Sequence, residues 1–315
     1  MRHKFPIPNS QFLILLLLLA FASCEKVIPI DDDPSAAKLV LNGLPVPDSR
    51  AFVYFAHTGF FLDPSTDHPV DGATLTLTAN GIPYTPDSVS RCRYFFPYTV
   101  AEGDTLGIHV STPQGDVHGQ TYVPYRPHLT DIAIANRAPG TALRYYRALF
   151  TLHDRPDYRE YYNLTVSVRD SGLRRNDWRQ AIDTVDTVRT TYFLLAENPE
   201  ITGSNSLVIP MMGYLYTRNL FLDSAINGQP CRIALDILNT VDTNEIPPFK
   251  HEYTVTLQSL TPARLRYLID VSRQGSSNSF FTEQSTVRSN LDGALGVFAG
   301  AASTRFSFDP DTLGR

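Results

Sequence analysis

The chain has 315 residues, 43% hydrophobic and 19% charged, with 3 cysteines. That length can bury one large or two medium cores, the 11% aromatic content excludes a disordered chain, and so few cysteines exclude a disulfide scaffold. A formal charge of −5 excludes the basic footprint of a nucleic-acid binder; without residues 1–23, which carry Arg2 and Lys4 but no acid, 25 basic residues face 32 acidic ones.

The amino terminus reads as an address. Arg2, His3 and Lys4 precede an uncharged apolar run from Phe12 to Phe21. A spanning helix needs about 20 apolar residues, and this run is half as long, so the layout is that of a secretory signal. Phe21-Ala22-Ser23-Cys24 resembles the lipobox read by the bacterial lipoprotein signal peptidase, with Phe21 where leucine is usual. The expectation is a signal peptide over residues 1–23, lipidation of Cys24, and a tether over 24–35 carrying Glu25, Asp31, Asp32 and Asp33. Each buried CH₂ of an acyl chain contributes about 0.8 kcal/mol, so a multiply acylated Cys24 holds the chain on a membrane. Acidic residues just after the lipid site resemble signals that send some Bacteroidota lipoproteins to the cell surface. The periplasmic and the exterior side both stay open.

The remainder alternates with the period of strands. Leu39–Gly43, Ala51–Ala56 and Ala73–Ala79 open the series, the second apolar enough to be buried on both faces. The third ends at Asn80-Gly81, a strong hairpin signal. Tyr94–Tyr98, Thr105–Ser111 and Gly119–Val123 follow, giving an antiparallel β-sandwich over 36–125, Ig-like or carboxypeptidase-regulatory-like. Pro124-Tyr125-Arg126-Pro127 reads as a linker to a second β-rich domain over 128–315. There Ala142–Leu152, Tyr161–Arg169, Arg189–Ala196, Cys231–Leu238, His251–Ser259 and Arg305–Phe308 are strands. One segment differs. After Thr261 as N-cap and Pro262, residues 263–271 place Leu265, Leu268 and Ile269 on one helical face, which predicts a single short helix with Arg264 and Arg266 solvated.

Candidate chemistry is thin. Neither an HExxH pair nor a zinc-spaced Cys/His cluster occurs among His57, His68, His109, His118, His128, His153 and His251, although His109 and His118 face each other across a hairpin. The acidic loop Asp63–Gly72 lacks EF-hand spacing and reads as a solvated connection. No G-x-S-x-G elbow is present. The expectation is therefore no catalytic residue, no metal and no cofactor. Cys92 and Cys231 fall in different domains, which favours thiols over a bridge. Six Asp-Ser/Thr tripeptides resemble the O-glycosylation site of exported Bacteroidota proteins, and the tandem Asp183-Thr184-Val185 and Asp186-Thr187-Val188 makes Thr184 and Thr187 the candidates. The clustered aromatics read mainly as core.

In order, Ser23–Ile30, Lys38–Gly43, Val70–Leu77, Tyr161-Tyr162 and the closing Ser289–Gly300 resemble the Bacteroidota lipoprotein family called domain of unknown function 4249. The family's closing motif is similar but has two adjacent glycines where this chain has Gly293-Ala294, so the turn is expected to rest on Gly293 and Gly296. The resemblance implies an outer-membrane lipoprotein, often beside TonB-dependent transporters, with no family catalytic residue to carry over. The functional expectation is a non-enzymatic accessory or binding protein of the outer membrane, acting beside a TonB-dependent transporter in nutrient capture or uptake. A structural or assembly lipoprotein without a ligand, and a surface hydrolase, are the alternatives.

Overall fold

The computed structural model describes residues 37–59, 68–137, 145–156, 159–195, 198–202, 207, 216–226, 228–239, 244–276 and 287–312. The fold is mainly β, in several open sheets, with one α-helix among the described residues. The first eight strands are β1 (Leu39–Gly43), β2 (Arg50–His57), β3 (Thr74–Ala79), β4 (Ile82–Tyr84), β5 (Ser88–Ser90), β6 (Arg93–Thr99), β7 (Thr105–Thr112) and β8 (Gly115–Tyr122). One sheet contains β1-β2-β6-β5 and the other β4-β3-β7-β8. Their inward residues, among them Leu41, Phe55, Leu77, Phe96, Val110 and Val117, form one buried core. Asn80 and Gly81 both have positive φ, +50° and +85°, the geometry that lets a two-residue turn follow strand twist. Strand β2 alternates rather than being buried on both faces: Phe52 is 41% exposed while Val53 and Phe55 are buried. The outer face of a sandwich sheet meets solvent, so only every second residue is covered.

The second half builds two more sheets. Its strands are β9 (His128–Arg137), β10 (Tyr145–His153), β11 (Tyr161–Asn176), β12 (Ala181–Thr190), β13 (Phe193–Leu194), β14 (Arg218–Leu222), β15 (Pro230–Leu238) and β16 (Glu245–Leu260). After helix α1 (Pro262–Ser276) come β17 (Leu295–Phe298) and β18 (Ala301–Phe308). The sheets run β13-β15-β10-β9 and β12-β11-β16-β18, with β14 also on β11. Phe150, Tyr162, Val166, Phe221, Leu235, Tyr253 and Leu257 pack in a second core. The expected strand Arg189–Ala196 splits, because Thr191 donates its N–H to Val166 while Phe193 moves to a different sheet. The distal half of the β11–β12 hairpin leaves the core, and Trp178 at its tip is fully exposed.

Thr261 caps α1 as expected: its Oγ1 accepts the Arg264 N–H at 3.3 Å. Leu265 and Leu268 are buried against Leu220, Leu260 and Ala301, each contributing about 2 kcal/mol. The helix runs on to Ser276, past the last apolar residue that marked it in the sequence. Arg264 departs from the expected solvated face. Its Nη1 is buried, the guanidinium lies over the Tyr267 ring at 5.5 Å, and burial lowers its pKa. Arg266 is exposed.

Strand β17 lies parallel to β1, with Val40 opposite Leu295 and Gly43 opposite Phe298. This departs from an all-antiparallel sandwich and joins the end of the chain to its first strand. β18 then pairs with β16 in the other half.

Candidate functional site

A cavity of about 200 Å³ opens between the end of β8, residues 123–125, and the adjoining ends of β11 and β16. Tyr122, Pro124 and Tyr125 form apolar walls, while Arg159, Glu160 and Ser259 bring polar groups. The segment 124–127 is held on both sides. Arg126 pairs with Glu102 at 2.7 Å and with Asp48, and the Arg155 guanidinium sits 4.1 Å from the centre of the Tyr125 ring. Ser259 is fully buried on β16, and its Oγ has no hydrogen-bond partner among the described residues.

Behind Glu160 lies a polar network. The Tyr162 hydroxyl is 2.7 Å from Asp154 Oδ1 and 2.5 Å from Glu160 Oε2, and Asp154 Oδ2 accepts the Gly228 N–H at 2.7 Å. The Tyr162 hydroxyl is the donor within reach of both carboxylates. Burial raises the Glu160 pKa, with Asp154 and Asp223 adding negative charge, and this outweighs the Tyr162 bond and Arg155. The Tyr162 hydroxyl is held protonated, first by burial and then by Glu160 and Asp154. The cavity is thus lined by a carboxyl group, an arginine and a serine. That set suits recognition of a small polar molecule.

The residues singled out in the sequence lie elsewhere. Cys24 and half of the acidic loop, residues 63–67, are outside the described residues. Thr184 and Thr187 are exposed on β12, an edge strand, while Asp183 and Asp186 bond to Asn176 and Arg169. Cys92 and Cys231 are buried and neither forms a disulfide. Burial, and then the Glu200 carboxylate 3.3 Å away, push the Cys231 thiol up to about 12, so it stays protonated and inert at neutral pH. His109 and His118 do face each other across β7 and β8, and Asp116 joins them. The sequence reading passed over Asp116, although it sits two residues before His118 and so on the same strand face.

The closing segment is a structural clamp. Asp292 exchanges backbone hydrogen bonds with His118, and Asn290 bonds both backbone groups of Phe298. Gly293 and Gly296 have φ of +83° and +112°, and a Cβ on either would lie 2.1 Å from a carbonyl oxygen, of Asp116 and of Leu41 respectively. Ala294 is not among the positive-φ residues and packs on the sandwich core. The turn therefore rests on the two glycines, as expected.

Fold and clamp together define a multi-sheet β protein whose first sandwich is completed by β17, a strand some 255 residues further along the chain. By sequence the chain belongs to the family described as domain of unknown function (DUF4249), which matches residues 25–307. No protein of curated function matches it. Among solved structures, the apo structure of Bacteroides uniformis beta-glucuronidase 3 aligns over 72% of this chain and 23% of that one, at 12% identity and a TM-score of 0.21. The chain thus spans under a quarter of that enzyme's length, and the likeness carries nothing about activity.

Proposed function

We propose that this chain is a lipid-anchored, non-enzymatic binding protein of the outer membrane, working beside a TonB-dependent transporter in nutrient capture, and that the junction cavity holds its ligand. The observation that carries the ligand is Ser259. Its hydroxyl is buried without a partner, at a cost of about 1–3 kcal/mol, and a ligand that opens the cavity wall to reach it recovers that cost. Arg159 and Glu160 present both charge types beside it. At about 200 Å³ the cavity is smaller than the roughly 300–1,000 Å³ of drug-sized sites, so it fits an amino acid, a monosaccharide or one end of a longer molecule. The membrane assignment is supported by the residues before Cys24 and the short apolar run, and the transporter by the resemblance set out above.

Three measurements test this. Cross-linking of intact cells, detergent extraction and mass spectrometry should recover a TonB-dependent barrel in near-equal amount, and palmitate labelling should vanish in Cys24→Ser. Recovery of the lipidated chain alone removes the transporter from the proposal. A screen of amino acids and sugars by melting temperature should give a ligand-dependent rise that Ser259→Val abolishes, because a ligand bound only by the folded state must raise the midpoint. A turnover lost on substituting Glu160 would replace binding with hydrolysis.

A further inference from the structure

We propose that His109, Asp116 and His118 form a binding site for a divalent transition cation of the Zn²⁺, Cu²⁺ and Ni²⁺ class. The argument starts from strand pairing. His109 and His118 are directly opposed on β7 and β8. The backbone N–H and C=O of His118 bond outward to Asp292, so they do not face β7. The two histidines therefore form a non-hydrogen-bonded pair, the kind whose side chains stand closest. Their rings stack with centroids 4.5 Å apart and planes 7° from parallel. Asp116 lies on the same face, its Oδ2 3.8 Å from His109 Nε2.

One ligand atom from each of the three residues falls within 4.8 Å of the others. Tetrahedral ligation at metal–nitrogen distances of 2.0–2.1 Å would bring such atoms to about 3.3 Å. The side chains of His109 and Asp116 are 47% and 52% exposed, so side-chain rotation can close that gap without moving the strands. Among the described residues none of the three is held by a hydrogen bond to another side chain. The clamp fixes the backbone from behind through Asp292 and leaves the imidazoles available. Two imidazoles and one carboxylate select borderline cations, whereas Ca²⁺ and Mg²⁺ require oxygen shells.

A second His pair shows what a site without these features looks like. His128 and His153 are also opposed, on β9 and β10, with rings 5.0 Å apart. There His153 Nε2 is bonded to Thr130 Oγ1 at 2.8 Å, and no carboxylate completes a cluster among the described residues. Beside the first pair the surface is open. Gly107, two residues before His109, leaves a shallow basin of about 310 Å³ lined also by Thr78, His118 and Gln120. A Cβ on Gly107 would make only ordinary contacts, the nearest with Thr78 at 3.8 Å, so packing does not demand the glycine. Vacant positions on the ion would face this basin and admit an outside ligand. The inference departs from the expectation, drawn from spacing alone, that the chain holds no metal, and it stands independently of the junction cavity.

The test uses the detergent-solubilised full chain without a polyhistidine tag. Zn²⁺ titration by calorimetry should show one strong site per chain, and one equivalent of Cu²⁺ should give an electron paramagnetic resonance spectrum with two coordinated nitrogens. His118→Gln should weaken Zn²⁺ binding at least about tenfold, because losing a ligand costs no less than losing a group that orients one. Asp116→Asn should weaken binding while keeping the two-nitrogen spectrum. The double variant His128→Gln/His153→Gln should change neither readout. Melting without metal checks that each variant folds, and the metal-dependent rise in melting temperature should disappear with His109→Gln. Absence of a wild-type site overturns the proposal, as does a site that survives His109→Gln/His118→Gln.

Discussion

Asp104 and Glu160 are two carboxylates that this fold treats in opposite ways. Burial alone would raise the Asp104 pKa, but the Ala101 N–H, the Tyr98 hydroxyl and the Asn80 amide all donate to it at 2.7–2.8 Å, and together they lower it. Asn80 in turn accepts the Thr105 N–H, so the carboxylate ties the β3–β4 turn to β6 and β7. A depressed folded pKa contributes stability that is complete above the ordinary value of 3.8 and is lost as pH falls through the folded value. Glu160 is the reverse. Its folded pKa lies above the ordinary 4.5, so its contribution is present below 4.5 and is lost as pH rises through the folded value. Denaturant unfolding from pH 3 to 8 should therefore show Asp104→Asn about 2–3 kcal/mol less stable at neutral pH, with a flatter acid limb. Glu160→Gln should flatten the curve above pH 4.5 instead. Parallel curves for wild type and both variants would contradict the assignments.

At the scale of elements, the clamp shows how backbone geometry sets what a residue must be. Leu41 and Gly296 are register partners in the parallel β1–β17 pair, and no side chain fits between them. Gly296→Ala should cost about 2–4 kcal/mol, since neither backbone can yield without breaking the pair. Ala294→Gly should cost about 0.5–1 kcal/mol, because the alanine is not strained and the glycine adds unfolded-state entropy. A stabilising Ala294→Gly, read by urea midpoint, would show that the position wants a second glycine. Strands with one clean face, such as β1, β3 and β7, were legible in the sequence. So were the Asn80-Gly81 turn and the Thr261 cap, whose chemistry is local. Strand β12 was not legible, because Ile182 and Val188 are exposed on an edge outside the core and its Asp-Thr repeats look like loop. The cavity was invisible for a different reason: Tyr122, Glu160 and Ser259 meet only through tertiary packing. The His109–His118 opposition could be seen in the hairpin pattern, and period two along β8 would have added Asp116.

For the whole molecule, one long-range contact is decisive. Asn42 Oδ1 accepts the Val297 N–H across 255 positions, and Phe298 completes a core otherwise built from residues 39–123. A fragment spanning 36–125 lacks Phe298 and Leu291, and losing one large buried aromatic alone costs about 3–5 kcal/mol. The fragment should stay unfolded by circular dichroism and fold when a peptide of residues 287–300 is added in excess; folding without the peptide would mean that the sandwich is self-sufficient. Because pairing so distant in sequence is slow to form, the sandwich must wait for nearly the whole chain. This makes the presence of β17 a condition of folding the sandwich. A product cut short before Leu295 presents an open β1 edge and a hole in its first core, marking itself for proteolysis. Only a chain that extends through Phe298 closes that edge and hides it.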